Sequence, residues 1–123
     1  MSKTIHETKI TRIGASAADF LEENMVVFFH EDVPAYLADF CFLIETGKGD
    51  YEIQVGDLLV LDSTRCPITA IGEVALENFR KLGHLTIRFD GAAQAENPGT
   101  MHVQPCAIPP LTIGTAVRFV REL

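Results

Sequence analysis

Turn-forming residues recur at short intervals along this chain and divide its apolar residues into brief segments. Clusters of Gly, Pro, Asn and Asp mark turns at 31–34, 47–50, 55–57, 90–91 and 97–99. The segments between them are rich in Val, Ile, Phe and Thr, which suit a pleated and half-buried surface. We therefore predict strands over Met25–Phe29, Cys41–Ile44, Leu58–Leu61, Ile68–Val74, His84–Phe89 and Val117–Val120.

Three short helices are also predicted, over Ser16–Glu22, Pro34–Phe40 and Ala75–Leu82. In the third, Glu77 stands four residues before Lys81, and Gly83 provides a left-handed stop. Many short strands with few helices favour an all-β fold. We expect a small closed or partly open barrel or sandwich with two or three short helices, and a mixed α+β fold is the alternative.

Length and composition exclude several classes of protein. The chain has 123 residues, enough for a single domain over 1–123 with one core. Its 47% hydrophobic and 22% charged residues exclude a disordered chain. Its apolar runs are far below the ~18 residues that cross a bilayer, and its first residues lack the apolar stretch of a signal peptide. The net charge of −7 argues against nucleic acid and anionic membranes as partners.

The three cysteines are Cys41, Cys66 and Cys106, an odd number at wide spacing with no C-x-x-C pair. Such a set favours a reduced, cytoplasmic protein over a disulfide framework. We expect Cys41 and Cys66 to be small core residues. No spacing typical of a metal site, phosphate-binding loop or serine nucleophile is present, so we expect no metal or other cofactor.

The stretch from Gly83 to Gly91 alternates with a period of two. One face carries the apolar residues, which must be core: Leu85, Ile87 and Phe89. The other carries His84, Thr86 and Arg88, spaced about 7 Å apart. Such a row could hold a phosphate, because Arg grips it with two N–H bonds and His can accept a phosphoryl group. The alternative is the solvated outer face of an amphipathic strand.

The remaining histidines give weaker signals. His102 follows an Asn-Pro-Gly turn and could join the row if its strand pairs with the stretch above. Alternatively it is a hydrogen-bonded histidine at the rim. His6 lies near the terminus and His30 at a strand end, so both are predicted to be surface residues.

Five motifs together give the chain a family resemblance. They are ITRIGASA at 10–17, CF at 41–42, PITAIG at 67–72, GHLTIRFDG at 83–91 and PGTMHV at 98–103. Nearly end to end, the chain resembles the glucitol/sorbitol-specific IIA component of the bacterial phosphotransferase system. The GHLTIRFDG block beside an ITRIG start is the most specific part of the resemblance.

The resemblance implies a small cytoplasmic β-barrel that needs no metal. Such a protein takes a phosphoryl group from the histidine of the carrier HPr. It passes the group to the membrane IIB/IIC components, which import and phosphorylate glucitol. A homodimer through an exposed strand edge is possible as well.

The chain departs from the family at one decisive position. The resemblance places the phosphoryl-accepting histidine two residues after the Cys-Phe pair, where this chain has Ile44, and a second histidine where it has Thr46. Isoleucine has no lone pair and cannot accept phosphorus.

Three hypotheses are therefore open. In the first, His84 or His102 contacts the phosphoryl group, and Thr86 and Arg88 hold its oxygens. In the second, the protein is a degenerate relative that binds HPr or a IIB domain without transferring. In the third, it binds a polyol directly, although 8% aromatic residues and no Trp argue against a sugar-stacking site.

Overall fold

The computed structural model describes residues 1–123 and consists mainly of short strands. The strands are β1 Ser2–Ile13, β2 Met25–His30, β3 Phe42–Ile44, β4 Lys48–Gly49, β5 Leu58–Leu61, β6 Thr64–Ile71, β7 Leu85–Arg88, β8 Thr100–Val103 and β9 Ala116–Glu122. The helices are a 3₁₀ helix over Ala17–Glu23, α1 over Ala35–Ala38 and α2 over Ala75–Leu82. None of them has the length and apolar character needed to span a membrane.

The nine strands form one sheet that closes into a ring. Their order is β3-β2-β7-β8-β6-β5-β9-β1-β4, and β1 also pairs with β3. Pairing is antiparallel except between β2 and β3 and between β7 and β8. Parallel neighbours require a crossover connection, and α1 lies in the connection from β2 to β3. The predicted all-β architecture with short helices is confirmed.

Apolar side chains fill the interior of the ring. A cluster of 21 buried residues includes Phe28, Phe42 and Phe119. The predicted core face of β7 is confirmed, since Leu85 and Ile87 are 0% exposed. Full burial of such a side chain stabilises a fold by about 1.5–3 kcal/mol. The packed interior fixes the strands, and with them the polar residues at the strand ends.

The element predictions succeed where signals are local. α2 spans the predicted residues, Lys81 pairs with Glu77 at 2.8 Å, and Gly83 ends the helix at φ +65°. The first predicted helix is a 3₁₀ helix, and Ser16, which precedes it, makes no side-chain hydrogen bond to it. β1 was not predicted, because charged residues interrupt its Thr and Ile residues and its main partner β9 lies at the far end of the sequence.

The prediction of unpaired cysteines is wrong for two of the three. Cys66 and Cys106 form a disulfide, with their Cα atoms 6.1 Å apart. The cause is a long-range pairing: β6 and β8 are antiparallel, with Ile68 opposite Val103, so the segment after β8, which contains Cys106, returns beside Cys66. Cys41 is buried and free, as expected of a small core residue.

Candidate functional site

The predicted row of polar residues lies on the outer face of the ring. Thr86 and Arg88 are half-buried in β7, and Arg88 stands in register with His102 of β8. Arg88 forms no salt bridge. His84 is half-buried just before β7; its ring packs on Phe29 at 4.7 Å, and its buried Nδ1 has no partner. The predicted common face therefore exists, but its side chains differ in how far solvent and a partner can reach them.

His102 is enclosed within this outer face. It is 0% exposed, Nδ1 lies 2.8 Å from Asp90 Oδ1, and Nε2 is buried without a partner. Asp90 also accepts a hydrogen bond from the backbone N–H of Ala92. The backbone carbonyl of Ala92 in turn accepts a hydrogen bond from the Thr69 hydroxyl. These contacts tie the loop after β7 over the imidazole.

The Asp90 carboxylate is held in its charged form. Partial burial alone would raise its pKa, but the hydrogen bonds from His102 and the Ala92 N–H lower the pKa below its ordinary value. An ionised Asp90 keeps the imidazole and the loop in place. Phosphorus could reach His102 only after this cover has opened.

A second polar region lies in a cleft at one end of the ring. The cleft has a volume of about 250 Å³. Ile44 and Phe79 line it and also belong to the interior cluster, so the cleft is the mouth of that interior. Its charged and hydrogen-bonding lining comes from the end of β2 and the residues after it, the segment after β3, the early part of β1 and the last turn of α2: His30, Asp32, Glu45, Thr46, His6, Arg80 and Lys81.

His30 is the last residue of β2 and stands in register with Ile44 of the parallel strand β3. Its Nε2 is 2.7 Å from Thr46 Oγ1, and its Nδ1 is 3.3 Å from both the N–H and Oδ2 of Asp32. The side chain is 26% exposed. His30 is thus half-buried at the rim of the cleft, with hydrogen-bonding groups at both ring nitrogens.

The prediction that His6 is a surface residue is wrong, since it is 1% exposed. β1 pairs with β9 and β4 at this residue, and the ring packs against Tyr51 and Phe79 at 4.5 and 5.2 Å. Burial lowers the pKa of His6, and the backbone groups of Asp50 and Gly49 offset this only in part. Burial therefore favours the neutral form of the His6 imidazole, and its Nδ1 has no partner.

The last turn of α2 brings positive charge to the cleft. Lys81 is paired with Glu77, whereas Arg80 has no ion pair. Cations are favourable at a helix C-terminus because they interact with its partial negative charge. Gly83 makes this approach possible: a Cβ there would lie 2.8 Å from the backbone N of His30. The helix end and His30 are therefore fixed against one another.

The arrangement suits a phosphoryl group better than a metal ion. Nowhere in the chain do three or more potential metal-ligating side chains gather. The cleft instead joins a partly exposed imidazole to a hydroxyl and to an unpaired guanidinium, which is the chemistry that accepts and holds phosphate.

Comparison with known proteins identifies the family. The family model for the PTS system glucitol/sorbitol-specific IIA component matches residues 5–118. The chain belongs to this family. It is 43% identical over 115 residues to the PTS system glucitol/sorbitol-specific EIIA components of Escherichia coli strain K12 and of Shigella flexneri, covering 94% of this chain and of each relative.

The fold of a solved structure agrees. The crystal structure of a PTS system IIA component from Enterococcus faecalis V583 superposes with a TM-score of 0.79. The match covers 94% of this chain and 99% of that one at 24% identity, so it shows the fold. PTS glucitol/sorbitol IIA components relay phosphoryl groups within the phosphotransferase system and work with HPr and the IIB/IIC components.

Family membership gives Ile44 its meaning. The resemblance assigns the accepting histidine to this position, and in this IIA component Ile44 lines the mouth beside His30. His84 does not line it: its ring packs on Phe29, and successive side chains of a strand point to opposite faces. The cleft cannot be predicted from local sequence signals, because residues of β1, β2, β3 and α2 meet there only in the folded chain.

Proposed function

We propose that this IIA component takes a phosphoryl group from phospho-HPr and passes it to the IIB/IIC components of a glucitol/sorbitol transporter in the cytoplasm. One observation carries the proposal. Ile44, at the position that the resemblance assigns to the acceptor, lines a cleft that holds an imidazole, a hydroxyl and unpaired positive charge. No metal takes part, since a neutral imidazole can attack phosphorus directly when the oxygens are held in line.

The residues predicted from the sequence are two of the candidate acceptors. His84 is supported by its partial exposure. It is also supported by the unpaired Arg88, four residues further along the same face, with Thr86 between them. His102 is less accessible, because it is 0% exposed beneath the loop that Asp90 anchors. In this form of the proposal, Thr86 and Arg88 hold the phosphoryl oxygens.

Ile44 supports a second candidate function, a binding module that docks on HPr or a IIB domain without transferring. Such a module keeps the fold and the docking surface and lacks an acceptor. The two functions differ in a single observable, a covalent phosphohistidine.

The test is a reconstituted relay. The protein is incubated with phosphoenolpyruvate, enzyme I and HPr, and its intact mass is measured at neutral or basic pH, where phosphohistidine survives. A gain of one acid-labile phosphoryl group is expected. No gain, with HPr itself phosphorylated in the same tube, contradicts the relay; HPr binding measured by calorimetry would then support the binding module.

The predicted homodimer belongs to this proposal as well. With the ring closed, β4 ends the strand order, and it offers only Lys48 and Gly49 as an edge. A second copy that pairs with this edge would find only two residues of backbone to bind, so the edge is a weak site for a homodimer. Light scattering across a concentration series measures the oligomeric state directly.

A further inference from the structure

We infer that His30 is the phosphoryl acceptor of this chain, in place of the histidine that the resemblance assigns to position 44. The inference rests on the proposed function. His30 and Ile44 are register partners on adjacent strands, and adjacent strands lie about 4.8 Å apart. The imidazole has therefore moved by one strand spacing and still lines the same cleft.

Access separates His30 from the other three histidines. His6 and His102 are 1% and 0% exposed. Each of them, like His84, has one ring nitrogen that is buried and unpartnered. An in-line attack on another protein's phosphohistidine needs a lone pair that the partner can reach. His30 alone has both ring nitrogens in contact with groups at the rim, one of them the largely exposed Asp32.

The contacts of His30 are compatible with two tautomers. In one, the Asp32 N–H donates to Nδ1 and Nε2–H donates to Thr46 Oγ1. In the other, the reactive one, Nδ1–H faces Asp32 Oδ2 at 3.3 Å, and the lone pair on Nε2 accepts the Thr46 hydroxyl proton. Nε2 is then the nucleophile. As phosphorus approaches, the Thr46 hydroxyl turns from Nε2 to a phosphoryl oxygen.

The transfer balances without a co-reactant. The donor ring arrives phosphorylated on one nitrogen and protonated on the other. His30 Nε2 forms a new N–P bond while the donor's N–P bond breaks, and the electron pair returns to the donor, which leaves as neutral imidazole. His30 keeps its proton on Nδ1 and becomes the phosphoimidazolium, and the Asp32 carboxylate stabilises that charge.

The charges that face His30 are mixed. Asp32 and Glu45 supply negative charge, and Arg80 and Lys81 supply positive charge. Lys81 is engaged with Glu77, so Arg80 is the cation free to hold a phosphoryl oxygen. The negative partner Asp32 lies at Nδ1, on the opposite side of the ring from Nε2.

The deciding experiment combines mapping with two variants in the reconstituted relay. Every histidine falls in a different tryptic peptide: His6 in 4–9, His30 in 13–48, His84 in 82–88 and His102 in 89–118. Mapping of the wild-type protein under neutral conditions is expected to place the phosphoryl group in 13–48. His30→Gln is expected to lose the gain in mass.

Failure of this inference is distinct from failure of the proposed function. A wild-type protein that gains no phosphoryl group overturns both. A wild-type protein that is phosphorylated in 82–88 or 89–118 keeps the relay and overturns the role of His30. So does uptake that His30→Gln retains and His84→Gln loses. Mapping on the wild-type chain needs no folded variant, and circular dichroism shows whether His30→Gln is folded.

Discussion

The outer face of β7 and β8 and the mouth of the ring contain the same chemistry in opposite settings. Each brings imidazoles, threonine and a free arginine together. On the outer face a loop covers His102 and binds it through Asp90. At the mouth His30 stands at the rim, with an open volume of about 250 Å³ beside it. Residue types alone do not distinguish an enclosed imidazole from an accessible one; the segment that packs over the imidazole does.

The comparison shows what a period of two can and cannot reveal. Alternation fixes which side chains share a face of a strand. It does not say which distant segment lies over that face, because the cover comes from pairings far along the chain. His84 and His102 were predicted as site residues for the same reason, because each lies in a short motif that is visible in the sequence.

The largest expected effect comes from moving the imidazole from position 30 to position 44. Ile44→His in the His30→Gln background is expected to restore phosphoryl uptake from none to one group, because the two positions line the same cleft. The measurement is the gain in intact mass in the reconstituted relay. Ile44→Gln in the same background is the matched control. A double variant that folds and gains no mass would show that the mouth does not receive phosphorus.

The enclosed imidazole of His102 is expected to stabilise the folded protein. His102→Ala is expected to lower the free energy of unfolding by about 2–4 kcal/mol, because it leaves a cavity and removes the partner of Asp90. Urea unfolding with the disulfide intact measures the loss. The control is His30→Ala, whose side chain is partly exposed. Equal losses in the two variants would contradict the proposed division between a structural and a reactive histidine.

Arg80 offers a graded test of the mouth. Arg80→Gln is expected to slow phosphoryl uptake about tenfold, the equivalent of about 1.4 kcal/mol for one lost charge-assisted hydrogen bond. Arg65→Gln is the matched control, since Arg65 pairs with Glu122 and does not line the cleft. Initial rates from intact mass give the comparison. Equal slowing in both variants would point to a general effect of net charge.

The smallest expected effect concerns His6. Burial lowers its pKa from 6.5 in the folded protein, so the unfolded chain binds more protons below that pH. Stability therefore falls as the pH falls from 6.5 towards the folded pKa. His6→Phe keeps an aromatic ring against Tyr51 and removes this titration, so it should show a weaker decline.

The check on His6 is urea unfolding of both proteins at one pH above 6.5 and one below it. The comparison uses the difference between the two changes in stability, because both proteins share all their other ionisable groups. Equal changes would mean that protons reach His6 in the folded state as easily as in the unfolded chain.

The sequence predicts those parts of the fold that local signals determine. β5 and α2 have the predicted bounds, and the buried face of β7 follows from alternation. β1 escaped prediction because its order depends on β9, with Ser2 opposite Glu122. The cleft escaped it for a similar reason: residues from β1, β2, β3 and α2 meet there only after the ring has closed. The bond between Cys66 and Cys106 likewise depends on the pairing of β6 with β8.

The in-register pairing of β2 with β3 also bears on docking. In the proposed relay, HPr and a IIB domain dock at the mouth, which His30 and Ile44 line from adjacent strands. A lineage could therefore exchange the reactive residue without any matching change in either partner. Conversely, a partner's affinity for this surface carries no information about where the phosphoryl group will be attached.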